Sequence, residues 1–319
     1  MSSSVPRTYQ EQLGILKSRG LIVHDDERAL HVLTHLNYYR FKTYGEKYFL
    51  PETGRYVPLT SFDSVLKLYQ FDHILRGLLL DACKLVEVSV RSRLAYELAH
   101  QYGPLAHLEP LRTGCRDESL KALNSLRMEV QRSKRGFVHE RKSQISFKEM
   151  PIWMIVELAS FGVVSKLLSG LKDQRFRQTI ANTYGLDEKV LCSVVYHLST
   201  VRNAAAHHGR IWNRRFGIEF SIPRTKPTGL IDSFNPMPRS GNIYNTIVML
   251  VYLVTKIEPS SELPIGFFRH LDSLEVHLQR CMGAPEDWKS RMIWVRAPRG
   301  PSALGRGATA SRPFETEGW

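Results

Sequence analysis

Four polar side chains between residues 202 and 208 have the types and the spacing of a catalytic group. Arg202 and Asn203 are followed, after three alanines, by His207 and His208 in the segment VRNAAAHHGRIWNRRF. An imidazole exchanges protons near neutral pH, so a histidine here could act as a general acid or base. The forked guanidinium of Arg202 suits phosphate oxygens and the charge that develops at phosphorus. These residue types favour phosphodiester chemistry.

One reaction fits an arginine, an amide and a histidine that lack an acidic metal cluster. It is the attack of a ribose 2′-hydroxyl on the adjacent phosphodiester, in which the nucleophile belongs to the substrate and restricts the enzyme to RNA. Asn203 would orient the imidazole or hydrogen-bond the same phosphate. A histidine and an arginine on one helix are also typical of a structural surface, and the residues alone leave both interpretations open.

The periodicity of this segment predicts a helix from about residue 187 to residue 210. Four apolar residues fall on one stripe at spacings of 4, 3 and 4: Val194, Leu198, Val201 and Ala205. His208 extends this stripe, so we predict a core histidine or a helix-end group. His207 lies with Asn203 and Arg210 on the opposite, polar face, and the two adjacent histidines are therefore expected to point in different directions.

The rest of the chain predicts an all-α fold. Two short helices flank Gly20, with a cap at Asp25 or Asp26, and one long helix covers residues 61–101. An apolar helix at the centre is expected over residues 151–171, and a short strand over FGIEFSI, residues 216–222. Helices near 243–257 and 267–281 complete a single domain over residues 1–285. Residues 286–319 are rich in Gly, Pro, Ala and Ser, which predicts a disordered tail.

Charge and composition restrict the partners. Lys and Arg outnumber Asp and Glu by 44 to 31, which gives a net charge of +13 and favours nucleic acid first and an anionic membrane surface second. The longest apolar run, IVMLVYLV at 247–254, is far shorter than the roughly 20 residues of a membrane span. Without a signal peptide at the N-terminus, we expect a soluble cytoplasmic protein with no membrane partner.

No motif predicts a cofactor or a metal. Cys83, Cys115, Cys192 and Cys281 are far apart and include no C-x-x-C pair, so neither a zinc site nor a disulfide framework is expected. The chain also has no G-x-x-x-x-G-K-[ST] and no G-x-G-x-x-G. Chemistry driven by ATP or a dinucleotide is therefore disfavoured.

Several residues outside the segment are candidates for supporting roles. Glu157 could orient the site by pairing with Arg202 or His207, or could form a structural ion pair elsewhere. Glu87 and Arg91 have the i,i+4 spacing of a pair that holds helices together. The remaining candidates would contact the RNA backbone. Arg40 and Lys42 lie among the aromatics of NYYRFKTYGEKYF, a block that could instead only pack around the bundle. Arg132, Lys134 and Arg135 lie in the basic segment 112–142, which we expect to form a solvated helix pair or loop.

The segment VRNAAAHHGRIWNR resembles the R-N-x-x-x-H-H-x-R-[LI]-W-N signature of the Abi-like (AbiD/AbiF) phage abortive-infection proteins, which are members of the HEPN superfamily. The block EQLGILKSRGLIVHDDERALHVLTHLNYYRFKTY is similar to the N-terminal block of that family. VEVSVRSRLAYELA and PIWMIVELASFGVVSKL are similar to its E-x-x-x-R-[ST]-x and P-x-W-x-x-x-E-x-x-S-F-G patterns. The resemblance covers roughly residues 9–216 in order.

This resemblance implies a HEPN-type helical bundle with an N-terminal helical extension. It also implies metal-independent RNA cleavage through an R-x4-6-H motif, in which Arg202 and His207 are the motif residues and Asn203 is the polar residue after the arginine. An anti-phage toxin, a structured non-coding RNA partner and a homodimer that joins two motifs into one site follow as expectations. The alternatives are a non-catalytic RNA-binding or scaffold protein of a defence system, and a protein–protein interaction domain.

Overall fold

A computed structural model describes residues 5–108, 116–132, 146–236 and 243–295. The N-terminal helices are α1 Tyr9–Ser18, α2 Asp26–His35 and α3 Tyr38–Gly45. Asp25 caps α2 by accepting a hydrogen bond from the Arg28 amide, as predicted, and Gly20 takes the left-handed conformation in the turn before it. The sequence patterns did not predict α3 separately. After it come a 3₁₀ turn, Glu46–Tyr48, and the antiparallel strands β1 Phe49–Leu50 and β2 Arg55–Tyr56.

The long helix α4, Phe62–Tyr102, has 41 residues and confirms the predicted single helix. The Ser61 hydroxyl accepts a hydrogen bond from the Ser64 amide at its start, and Gly103 ends it with a φ of +85°. Buried side chains occur on more than one face of α4, because later helices pack around it. This helix therefore forms the centre of the bundle.

Two helices lie where a single central helix was predicted over residues 151–171. They are α6 Ile152–Ile155 and α7 Phe161–Gly170, preceded by α5 Arg116–Arg132. The single-helix prediction is wrong because Glu129 on α5 accepts hydrogen bonds from both the amide and the hydroxyl of Ser160, at 2.6 and 2.7 Å. These bonds hold Ser160 in an extended conformation before α7, so the helix has to restart there.

The basic segment is only partly solvated. Ala122, Leu126 and Val130 form a buried stripe on α5, which packs against α7, so this part is an amphipathic helix and not a solvated one. Residues 109–115 and 133–145 of the segment lie outside the described residues.

The second half of the chain is also helical. Its helices are α8 Gln174–Asn182, α9 Glu188–Ala206, α10 Thr228–Ile231, α11 Ile243–Ile257, α12 Leu263–Asp272, α13 Val276–Cys281 and α14 Met292–Val295, with a 3₁₀ turn at Trp288–Ser290. The helix predicted over 267–281 is thus divided between α12 and α13. The strand predicted over residues 216–222 is wrong, since no strand forms there. The all-α class itself is confirmed.

Ten residues assigned to the disordered tail are folded. Trp288 and Trp294 are both 2% exposed, and their indole N–H groups donate to Gln279 Oε1 at 3.0 Å and to the Tyr244 hydroxyl at 3.2 Å. Two buried tryptophans that each find an acceptor explain why the packing extends past residue 285. Residues 296–319 lie outside the described residues.

The hydrophobic core joins the N-terminal helices to the C-terminal ones. Helix α4 packs against α9, α11 and α12, and α9 also packs against α7. Helix α11 carries the apolar run at 247–254, and Ile247, Leu250 and Val254 have no exposed surface. Within the described residues, no helix is both long and apolar enough to cross a membrane.

A buried histidine on α9 makes the stability sensitive to acid. Burial lowers the pKa of His197 below its ordinary 6.5, and a hydrogen bond to the Ile218 carbonyl at 2.6 Å offsets part of this effect. The unfolded chain therefore binds the proton first as the pH falls through about 6.5, and stability that is present above that pH is lost below it. The loss is about 1.4 kcal/mol for each unit by which burial lowers the pKa.

We expect the free energy of unfolding, measured by urea denaturation, to fall between about pH 7.5 and about pH 5.5. His197→Asn should flatten this dependence, whereas His24→Asn at an exposed position should leave it unchanged. The same slope in both variants would contradict the role of His197. His107 and His270, whose pKa values burial also lowers, account for the slope that remains in His197→Asn.

Candidate functional site

The signature segment, residues 201–216, begins in the last turns of α9. Val194, Leu198, Val201 and Ala205 are all buried, which confirms the predicted apolar stripe and thereby the rotation of the helix. Asn203 is exposed on the other face. The side chain of Arg202 is 34% exposed, so it lies at the boundary between the core and the surface.

Helix α9 ends at Ala206, four residues earlier than predicted. The Gly209 amide donates to the Ala204 carbonyl at 2.8 Å and the His208 amide to the Ala205 carbonyl at 3.0 Å, which is the hydrogen-bond pattern of a Schellman cap. In this cap His208 takes the left-handed position, with a φ of 57°. Its side chain is exposed, so the prediction of a core histidine is wrong, whereas the description of a helix-end group is correct.

Gly209 permits this cap because the backbone folds back closely. A Cβ atom built on Gly209 would lie 3.1 Å from the Ala204 carbonyl oxygen and 3.0 Å from Arg214 Nη1. A glycine at the second position after the cap therefore avoids two tight contacts, while the left-handed residue is a histidine. The sequence shows a glycine, but it does not show which of the two positions it fills.

The residues after the cap are held by a buried carboxylate on α4. Asp72 has no exposed surface, and its Oδ1 accepts hydrogen bonds from the amides of Ile211 and Trp212 at 3.1 and 2.6 Å. The Tyr44 hydroxyl donates to the same carboxylate at 2.6 Å, and Arg76 forms an ion pair with it. We refer to Asp72 and these four partners as the Asp72 clamp.

Sequence reasoning missed the Asp72 clamp. The i,i+4 spacing of Asp72 and Arg76 was a signal for an ion pair. Nothing in the sequence pointed to the backbone amides 139 and 140 residues further along the chain.

Two arginines predicted to support the site or bind RNA instead join α3 to the signature segment. Arg40 Nη1 donates to the His208 carbonyl at 2.6 Å. Arg210 Nη1 donates to the Thr43 carbonyl at 2.6 Å and lies 3.3 Å from Glu46. Both guanidinium groups are thus used to position the chain after α9, which is a structural role.

A buried acid restrains Arg202. Glu87 on α4 is 5% exposed; one of its carboxylate oxygens pairs with Arg91, and the other lies 3.4 Å from Arg202 Nη2. Arg91 also donates to the Ala159 carbonyl at 2.5 Å. Asn203 Oδ1 accepts a hydrogen bond from Arg202 Nη1 at 3.2 Å. Asn203 therefore orients the arginine, whereas the sequence pattern suggested the imidazole or the phosphate.

Glu87, Arg91 and Arg202 line a cleft of about 620 Å³ between α4 and the end of α9. We call it the α4–α9 cleft; Lys84, Glu87, Arg91, Glu157, Arg202 and Ala206 are among its lining residues. Glu157 thus lines the same cleft as Arg202, and its role as an orienting group stays a prediction. Glu87 lines the cleft too, and its ion pair with Arg91 confirms the predicted i,i+4 pair.

His207 follows the last lining residue of the α4–α9 cleft directly. It is exposed, and its imidazole forms no hydrogen bond or ion pair with the part of the chain that the structure describes. The end of α9 therefore carries a restrained cation at Arg202 and, five residues later, an exposed imidazole at His207.

The other predicted RNA-binding residues are distributed over the surface. Lys42 lines a separate groove near the N-terminus, and Arg132 is exposed at the end of α5. Lys134 and Arg135 lie outside the described residues. In the described ranges, no three His, Cys, Asp or Glu side chains come together in a group that could hold a metal ion.

A family model described as Abi-like protein matches residues 31–213, which is more than half of the chain. The match begins in α2, ends just after Trp212, and includes the Asp72 clamp, Glu87 and Arg202. No curated protein and no solved structure matches the chain.

Proposed function

The chain belongs to the Abi-like protein family, which points to abortive-infection phage defence, and from that premise we propose that it is a metal-independent endoribonuclease that acts as a toxin. The proposal assigns catalysis to Arg202 and His207, with Asn203 and Glu87 as positioning residues. Its substrate would be RNA, because the reaction requires a hydroxyl that DNA lacks.

The reaction that these groups suit breaks one bond and forms another at the same phosphorus. The 2′-oxygen of a ribose attacks the adjacent phosphodiester while the bond from phosphorus to the 5′-oxygen breaks. The 2′-hydroxyl loses its proton and the leaving 5′-oxygen gains one, so no net proton is consumed. His207 would perform one of these transfers as general base or general acid, and Arg202 would stabilise the charge on the phosphoryl oxygens. The products are a 2′,3′-cyclic phosphate and a 5′-hydroxyl.

The observation that carries the proposal is the restraint on Arg202. Glu87 and Asn203 hold the guanidinium from two sides, yet a third of the side chain remains exposed in the α4–α9 cleft. A charged donor that is fixed before the substrate binds stabilises a transition state better than a mobile one, because it pays no reorganisation energy during the reaction. A surface arginine with only a solvating role would not need a buried carboxylate partner.

We further propose that two copies of the chain form the active unit. The chain has a single R-N-x-x-x-H motif, and a two-fold axis beside the cleft would bring two copies of the motif together. Val88, which lines the α4–α9 cleft, and Trp153 on α6 are each 50% exposed, and burial of such side chains is typical of an interface. Sedimentation velocity would measure the expected dimer.

A structured non-coding RNA is the proposed partner. The net charge of +13 favours a polyanion, and a bound RNA could regulate a nuclease that is otherwise toxic. Extraction and sequencing of the nucleic acid that copurifies with the protein from its native host would identify it. Recovery of no specific RNA would count against this partner.

The proposed activity is tested by incubating RNA with the protein in EDTA, before and after removal of copurified RNA. We expect cleavage that leaves a 2′,3′-cyclic phosphate and a 5′-hydroxyl, as detected by end-labelling. An RNA with one 2′-deoxynucleotide at the cleaved position should resist at that position, since the nucleophile is missing. Cleavage at the deoxynucleotide would contradict the mechanism, and binding of RNA without any cleavage would favour the non-catalytic RNA-binding alternative.

A further inference from the structure

A second groove, larger than the α4–α9 cleft, lies among α1, α2, α3 and the residues that precede α1. Its volume is about 1040 Å³, which is above the roughly 300–1,000 Å³ of clefts that enclose one small molecule. We call it the N-terminal groove. Its size and openness suit a chain-like ligand better than a single compact one.

Aromatic side chains stand exposed in the N-terminal groove. Tyr39 is 74% exposed and Tyr9 is 44% exposed, and both line it together with Tyr38. The rings of Tyr38 and Tyr39 lie 5.6 Å apart and almost perpendicular, at 85°, so they present faces in two directions. Exposed aromatic faces in a groove are the surfaces on which unpaired bases stack.

The lining of the N-terminal groove carries a net positive charge. Arg7, Arg19 and Lys42 line it, and its lining includes no Asp and no Glu. Among the described residues, none of these three cations lies in an ion pair with a carboxylate. A cationic groove without acids attracts the phosphates of a nucleic-acid backbone.

We propose that the N-terminal groove binds a single-stranded segment of RNA, which deepens the proposed function and rests on it for the identity of the ligand as RNA. Bases stack on Tyr9 and Tyr39, and the phosphates between them contact Arg7, Arg19 and Lys42. The ligand is single-stranded because stacking on tyrosine requires bases that are not paired with one another.

Helix α3 connects this groove to the signature segment. Tyr39 and Lys42, three residues apart on one face, line the groove, while Arg40 is rotated away from them and donates to the His208 carbonyl. RNA held in the groove is therefore bound by the same helix that positions the residues after His207. The interleaving of aromatic and basic residues in α3 thus serves binding on one side and packing on the other.

The test measures binding of a fluorescent 2′-O-methyl oligouridylate of about ten nucleotides to the full chain by anisotropy. We expect Tyr39→Ala to raise the Kd at least about fivefold, which corresponds to one stacked base. We expect Lys42→Gln to reduce the slope of log K against log salt concentration by about 0.7, which corresponds to one phosphate contact on a single strand. The matched controls are Tyr96→Ala, at a tyrosine 52% exposed on α4, and Lys189→Gln, exposed at the start of α9; both should leave Kd and slope unchanged.

Three outcomes would overturn the proposal: equal effects of Tyr39→Ala and Tyr96→Ala, tighter binding of an RNA duplex than of the single strand, and competition by polyglutamate as effective as that by the oligouridylate. The last would assign the groove to acidic peptides. Thermal unfolding of Tyr39→Ala shows whether the variant is folded, and Tyr39→Phe, which keeps the ring, should restore binding. The 2′-O-methyl probe has no free 2′-hydroxyl and cannot be cleaved, so this experiment measures binding alone. Absence of binding would contradict the proposed groove but not the proposed nuclease, and absence of RNA cleavage would contradict the nuclease but not the groove.

Discussion

His207→Ala is expected to reduce RNA cleavage by roughly 100- to 10,000-fold, which is the usual contribution of one general acid or base. RNA binding should persist, because the Arg202 guanidinium remains held by Glu87 and Asn203. Stability should also be unaffected, since the imidazole is exposed and forms no hydrogen bond or ion pair within the described ranges. Single-turnover cleavage rates, measured with saturating protein, separate the chemical step from binding.

The matched control is His208→Asn, which removes the adjacent imidazole. Asparagine tolerates the left-handed backbone that His208 adopts at a φ of 57°, so the cap at the end of α9 should be retained. We expect near-normal cleavage in this variant. A larger loss in His208→Asn than in His207→Ala would show that the catalytic imidazole is the other one.

Asp72→Asn is expected to destabilise the protein by about 3–5 kcal/mol, as removal of one partner from a buried ion pair does. The change leaves Arg76 buried without its counter-ion. It also places the side-chain NH₂ of the asparagine, a donor, opposite the donors of Tyr44, Ile211 or Trp212. The free energy of unfolding in urea, and a decrease in Tm on the order of 5 °C or more, measure the effect. Cleavage should fall as well, because the clamp positions the chain that follows His207.

Asp81→Asn provides the comparison on the same helix. Asp81 is exposed, and surface substitutions of this kind change stability by about 0.5 kcal/mol or less. An Asp72→Asn variant as stable as Asp81→Asn would mean that the clamp contributes little. Tyr44→Phe removes the hydrogen bond that the hydroxyl donates to Asp72 and the one that it accepts from Arg76. It should lie between the two, at about 2 kcal/mol.

The rotation of α9 was predictable because periodicity is a local property. Spacings of 4, 3 and 4 placed Val194, Leu198, Val201 and Ala205 in the core and Asn203 outside. The same extrapolation failed at His208, since the helix ends at Ala206 and the wheel no longer applies beyond that point. A helical wheel is valid only as far as the helix extends, and helix ends are set by caps.

The break between α6 and α7 shows a second limit. Residues 151–171 have an uninterrupted apolar pattern, and the buried stripe of Ile152, Ile155, Val156, Ala159 and Val163 is correct. The pattern did not reveal that Glu129 would accept hydrogen bonds from the backbone amide and the hydroxyl of Ser160. Such competition between a distant side chain and the helix cannot be read from the segment itself.

Composition and periodicity sufficed for the all-α class, the long helix α4 and the basic character of the chain, because each follows from residues close together in sequence. The catalytic roles of Arg202, Asn203 and His207 stay a prediction. The family match agrees with the resemblance noted from the motifs. The tertiary structure decided that Glu87 restrains Arg202, that Asp72 holds the amides of Ile211 and Trp212, and that Arg40 and Arg210 serve packing. These contacts join residues more than a hundred positions apart, and a buried charge selects its partner only when the whole fold has brought the two together.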